Sequence, residues 1–203
     1  MRAELRADGL HIDGYVNVPG RKSRPVMTPR GKVIEVIEPG AFRDALSRAP
    51  ELRMLLDHDA GHELASREAG TLKAVEDSVG LRASSVVTDP AVIDGAKQNR
   101  LRGWSFNMQN VEDEMEERAE GLPVRHVKKF DMSEISLIMN RIPVYSATSV
   151  EVRADGKDAD VETRAIFPEN MEYTDLTENQ KKDPPKPEFD NSAFVSRLEA
   201  LKK

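Results

Sequence analysis

The chain of 203 residues contains no cysteine. Disulfides, thiolate catalysis and cysteine-based zinc sites are therefore excluded together. The composition fits a reducing cytosol. No apolar run approaches the ~18 residues that a membrane-crossing helix needs. The opening stretch MRAELRADGLHIDGY lacks the apolar centre of a signal peptide. A soluble protein made in a cytoplasm is the expectation. Excess positive charge is missing too: the formal net charge is -6 and the pI about 5.4. Phosphate binding needs a basic face, so a general nucleic-acid role is disfavoured. Apolar residues are in short supply, at 38% beside 33% charged. Part of the chain is expected to lie outside any core.

What is present divides near residue 153. Residues 1–153 hold short β-like runs separated by turn signals. LHIDGYVNV alternates apolar residues, and Gly14 within it suggests a bulge or a close approach. KVIEVIEPG reads as a strand, AFRDALSRA as a short helix stopped before Pro50, and LRMLLDH as a strand carrying His58 at its end. GTLKAVEDSVGLRASSVV reads as a hairpin turning at EDSVG. Asp89 followed by Pro90 is a helix start, with Asp89 as the cap. GWSFNMQ is a strand, VEDEMEERAEGLP an acidic connection, and VRHVKKFDMSEISLIM further strand. The fold class expected is mainly β with short helices (α+β), built as a closed or half-closed barrel.

Residues 154–189 are polar and carry a DPPKP cluster. They have too little apolar area to offset the entropy of ordering, and they read as a linker or tail. Residues 190–203 place Phe194, Leu198 and Leu201 on one helical face, behind Asp190 or Asn191 as a cap. That helix is marginal alone and is expected to dock on something.

Ser105 stands in GWSFNMQN, between the chain's single tryptophan, Trp104, and Phe106. It is either a small strand residue or a nucleophile in an apolar wall. A serine hydroxyl is a poor nucleophile unless a base lies within hydrogen-bond reach and a third group fixes that base. His58 is the candidate base, although its local context equally suits a loop histidine. Glu134 sits before an apolar run, where a carboxylate is costly to bury unpaired, so it implies a partner. The partner is a cation, solvent, or His58. His58 and His62 have the spacing of two metal ligands on a helix, but Gly61 lies between them and no helix is predicted there.

Five segments in order resemble one family. They are GYVNV, EVIEPGAF, LDHDAGHELASREAGTL, GWSFNM and EISLIMNRIPVYSATSVEVR, spanning about residues 10–153. The resemblance is to the prohead (capsid maturation) serine proteases of tailed bacteriophages, distantly related to the herpesvirus assemblins. It implies an antiparallel β-barrel of herpesvirus-protease type over residues 1–153. It implies Ser105 as nucleophile, His58 as base and Glu134 as third member, with no cofactor and no metal. The chain departs from the family pattern at Asp57, Ala65-Ser66, Trp104 and Asn107. None of these removes a triad member. A turn around residues 140–141 is the expected source of oxyanion donors. The implied partners are the major capsid protein and scaffold, as substrates inside the immature prohead in the host bacterial cytoplasm. Neither nucleic acid nor membrane is expected as a partner. A homodimer or higher homo-oligomer is the expected assembly. Self-cleavage within the polar tail after residue 153 is expected as well. The competing reading is a non-catalytic capsid assembly module of the same fold.

Overall fold

The computed structural model describes residues 1–139, 161–166 and 171–177. In chain order the elements are β1 (Arg2–Arg6), β2 (Gly9–Asn17), β3 (Pro25–Thr28), β4 (Gly31–Ile37), α1 (Ala41–Ser47), β5 (Arg53–Leu56), β6 (Asp59–Ser66), β7 (Leu72–Glu76), β8 (Leu81–Val87), α2 (Pro90–Lys97), β9 (Gly103–Glu116), β10 (Val124–Asp131), β11 (Glu134–Ile138), β12 (Glu162–Ile166) and β13 (Glu172–Asp175). The protein is mainly β with two short helices. One sheet runs β13-β1-β2-β8-β7 and the other β3-β4-β10-β9-β11-β5-β6, with β12 also paired to β9.

Alternation makes the strands. In β8, Leu81, Ala83, Ser85 and Val87 are buried, while Arg82 and Val86 face water. The inward residues of both sheets meet in a core that contains Trp104, Phe106, Phe130 and Met54. From α1, Phe42 enters that core edge-on to Phe106 and Phe130, with ring centroids 5.2 Å away in each case. Gly40, which caps α1, has no side chain to offer its first amides. Glu76 of β7 supplies the acceptors instead, taking the Gly40 and Arg43 amides at 2.7 Å each. The helix is thereby tied to the opposite sheet. At the start of α2 the Asp89 carboxylate accepts from the Val92 amide at 2.9 Å, and Pro90 follows as read from the sequence. The hairpin of β7 and β8 is also present. Gly14 is a close approach: a Cβ there would lie 3.0 Å from Met1 Cα and 3.2 Å from Trp104 Nε1.

Several expectations need correction. The sheets are not purely antiparallel, since β1 with β13, β4 with β10, and β5 with β11 pair in parallel. These partners are distant in sequence, as parallel neighbours must be. Nor do the described strands close into a barrel: each sheet runs between end strands that do not bond each other. Residues 111–116, read as an acidic connection, continue β9 to a length of 14 residues. They do so because β10 opposes them with cations: Lys129 meets Glu112 at 2.6 Å, and Lys128 pairs with Glu114. The stretch 154–189 is not wholly a linker, because β12 and β13 within it are paired to β9 and β1. The helix expected over 190–203 lies outside the described residues.

Candidate active site

His58 occupies the second position of a two-residue turn that joins β5 to β6, where Leu56 pairs with Asp59. Asp57 and His58 both take positive φ, 51° and 63°. A right-twisted hairpin with so short a loop requires that backbone, and glycine usually supplies it. Asp57 is one of the few side chains that tolerate it. The turn is pinned to β11 from both sides. The Asp57 amide donates to Leu137 O at 2.9 Å, and its carboxylate accepts from the Met139 amide at 2.8 Å. Strain of about 1–3 kcal/mol per residue is held this way at functional positions.

Ser105 lies in β9, antiparallel to β11 with Ser136 as its register partner. Glu134 is two residues before Ser136, so period-two geometry puts Glu134 on the same sheet face as Ser105. β5 is paired on the other side of β11 and brings the His58 turn over that face. The three sequence-predicted residues meet. His58 Nε2 is 2.8 Å from Ser105 Oγ, and His58 Nδ1 is 2.5 Å from Glu134 Oε1. An ionised carboxylate only accepts, so Nδ1 carries a proton that it donates to Glu134. In the neutral ring Nε2 is then the acceptor, facing the serine hydroxyl.

The remaining histidines do not join. His62 bonds Asp89 at 2.8 Å, His11 bonds Asp8 at 2.7 Å, and His126 bonds Glu38 at 2.7 Å and Glu116 at 3.1 Å. His58 and His62, whose spacing Gly61 sets against a metal site, each bond other partners: Ser105 and Glu134 for His58, Asp89 for His62. Among the described residues no group of three or more His, Asp and Glu is placed to hold a metal ion.

A family model described as caudovirus prohead serine protease matches residues 1–161. The chain belongs to that family. No curated protein and no solved structure matches it. Membership makes this, in general terms, a phage serine peptidase of capsid maturation.

Two features of this prohead protease were missed from sequence. Asn107, noted only as a departure from a family glycine, sets the start of β11. Its Oδ1 accepts the Ser133 and Glu134 amides at 3.1 and 3.2 Å, and its Nδ2 donates to Ser133 Oγ at 2.8 Å. A glycine there would leave Glu134 without this anchor. The second is β12, which begins at Glu162, just past the matched residues. It pairs antiparallel with β9 so that Ala165 stands opposite Ser105. Ser105 is fully buried, and its hydroxyl donates to the Arg164 carbonyl at 2.8 Å. One hydroxyl proton thus faces two acceptors, that carbonyl and His58 Nε2.

Buried charges bind β12 to the sheet. The Arg164 guanidinium meets Glu35 of β4 through Nε at 2.6 Å and Nη2 at 2.7 Å. Arg125 of β10 meets Glu162 through Nη1 at 2.5 Å and Nη2 at 2.7 Å. Burial alone would raise the Glu162 carboxyl, but the hydrogen bonds and charge of Arg125 and Arg164 hold it below its ordinary value. Burial would likewise lower Arg125, yet Glu162 and Asp113 hold it above its ordinary value. The turn around residues 140–141, the expected oxyanion source, lies outside the described residues.

Proposed function

We propose that the protein is the prohead endopeptidase that cleaves scaffold and the scaffolding segment of the capsid protein inside the immature head, with Ser105 as nucleophile. His58 takes the hydroxyl proton as Oγ attacks the scissile carbonyl, and returns it to the leaving amine. Glu134 holds the imidazole in the tautomer that leaves Nε2 free and stabilises the imidazolium once formed. Water then releases the acyl group by the same route. The observation that carries this reading is the two-sided engagement of His58, with Ser105 on one nitrogen and Glu134 on the other. A histidine filling only a structural role needs no hydroxyl partner buried beside it.

The test is co-expression with the cognate capsid protein, comparing wild type with Ser105→Ala by gel and intact mass. Wild type should process the capsid protein. The variant should lose activity by on the order of 10⁴-fold or more, as when a triad nucleophile is removed. Unchanged processing by the variant would end the serine mechanism. Absence of processing by both would favour a non-catalytic assembly module.

A further inference from the structure

A nucleophile needs access to a carbonyl, and in this protein the access is taken. β12 lies along β9 with Ala165 opposite Ser105, and the Arg164 carbonyl accepts the Ser105 hydroxyl at 2.8 Å. Addition of an extended segment to a sheet supplies main-chain hydrogen bonds that read no sequence, and specificity then falls to alternate side chains. The alternate side chains here are Glu162 and Arg164. Each is buried and each meets an opposite charge from the body of the protein: Arg125 for Glu162, Glu35 for Arg164. Glu35 and Arg125 are also linked to each other at 3.2 Å, and Asp113 holds Arg125 Nε at 2.5 Å. Without β12 the body retains Glu35, Asp113 and Arg125, with Arg30 on Asp113. β12 contributes one negative and one positive residue, spaced to meet them in turn.

We propose that Glu162–Ile166 is this protease's own substrate strand, that Arg125 and Glu35 select an acid-x-arginine sequence, and that the bond cut is Arg164–Ala165. This rests on the serine mechanism proposed above. Glu35 is the specificity-determining residue for the side chain whose carbonyl is attacked, and Arg125 for the residue two positions before it. The step balances. Ser105 Oγ bonds the Arg164 carbonyl carbon while His58 takes the hydroxyl proton. The Arg164–Ala165 C–N bond breaks and His58 protonates the new Ala165 amine. Water then hydrolyses the ester and leaves Arg164 with a carboxylate. The products are residues 1–164 and 165–203. Until the hydroxyl proton turns from the Arg164 carbonyl to His58, the strand is an occupant that shuts out other substrates.

Selectivity follows from burial. A charged pocket left without its partner is penalised far more than one missing an apolar contact, so mismatched strands should react on the order of a hundredfold more slowly or worse. The full-length chain would be followed by intact mass over time as wild type, Ser105→Ala, Arg164→Lys and Arg164→Glu, with the capsid protein as a parallel substrate. The expected result is a wild-type fragment ending at Arg164 and one starting at Ala165, with Ser105→Ala left whole. Arg164→Lys should still be cut and Arg164→Glu should not. Glu35→Gln should slow the cut, and a peptide of residues 159–168 cleaved by wild type but not in its Arg164→Glu form shows the same preference without touching the fold. Capsid processing that depends on Ser105 while the Arg164–Ala165 bond stays whole would overturn this inference and leave the protease reading standing. Equal cutting of Arg164→Glu would do the same. Loss of both self-cleavage and capsid processing in wild type would remove the protease reading and this inference with it.

Discussion

The two halves of β9 are held by opposite forces. Residues 103–108 are buried throughout, with Trp104, Phe106 and Met108 in the apolar core and Ser105 and Asn107 facing the site. Residues 109–116 alternate partly buried and exposed; Val111 still packs on the core, while Glu112, Asp113, Glu114 and Glu116 make ion pairs. The apolar half positions the serine by packing that involves no charge. The ionic half, with Glu35 and Arg125, is stable only when its charges are matched. If Ser105 is the nucleophile and β12 the exchanged strand, as proposed, one strand supplies both the rigid hold and the matched charges.

The sharpest break in that comparison comes from the apolar side. Phe42→Ala removes a ring packed edge-on against two others and leaves a cavity, at a cost of about 4 kcal/mol. Urea unfolding measures it, and a loss below about 1 kcal/mol would show that the core relaxes around the gap. On the ionic side, Arg125→Ala leaves Glu162, Glu35 and Asp113 short of a buried partner and should cost about 3 kcal/mol. A milder effect would mean that water reaches the cluster.

The same contrast explains what could be read in advance. The apolar half of β9, the β7–β8 hairpin and the Asp89–Pro90 helix start follow from alternation and caps, which are local signals. Ser105, His58 and Glu134 were named from ordered motifs, and no local spacing could have shown that they meet, because β5, β9 and β11 are joined by pairing between distant segments. β12 was illegible for a physical reason. Its inward residues are Glu162 and Arg164, and hydropathy scores these as surface. The clue was available only as complementarity with Glu35 and Arg125, which a reading along the chain does not compare. The ionic half of β9 hid in the same way, behind its partners on β10.

Acid should separate the halves. Asp113, like Glu162, is held low against the upward push of burial, in its case by Arg30 and Arg125. A carboxyl depressed in the folded state stabilises the fold above its unfolded value and loses that contribution as pH falls through the folded one. Their unfolded values are 3.8 and 4.5. Wild-type stability should therefore fall below about pH 4, and more steeply than that of Arg125→Ala, in which Asp113 keeps only Arg30 and Glu162 only Arg164 to hold them low. Parallel acid curves would place the lost stability elsewhere. A smaller effect belongs to Asp89→Ala, which removes the cap of α2 and the partner of His62, for about 1 kcal/mol by thermal melting.

The smallest effect runs in the opposite direction along the pH axis. His126 of β10 lies against the exposed side of the ionic half, and Glu38 first and Glu116 second hold it above its usual 6.5. A histidine raised in the folded state stabilises fully below its unfolded value and loses that contribution as pH rises through the folded one. His126→Gln should thus be less stable than wild type near pH 6 and indistinguishable from it at about pH 9. Because both partners are accessible, the gap at low pH should shrink in high salt. The Phe42→Ala gap should be indifferent to both pH and salt, since no charge enters it. A salt-independent His126 gap would mean that its ring acts by packing, and the division of β9 into an apolar and an ionic half would then stop short of β10's outer face.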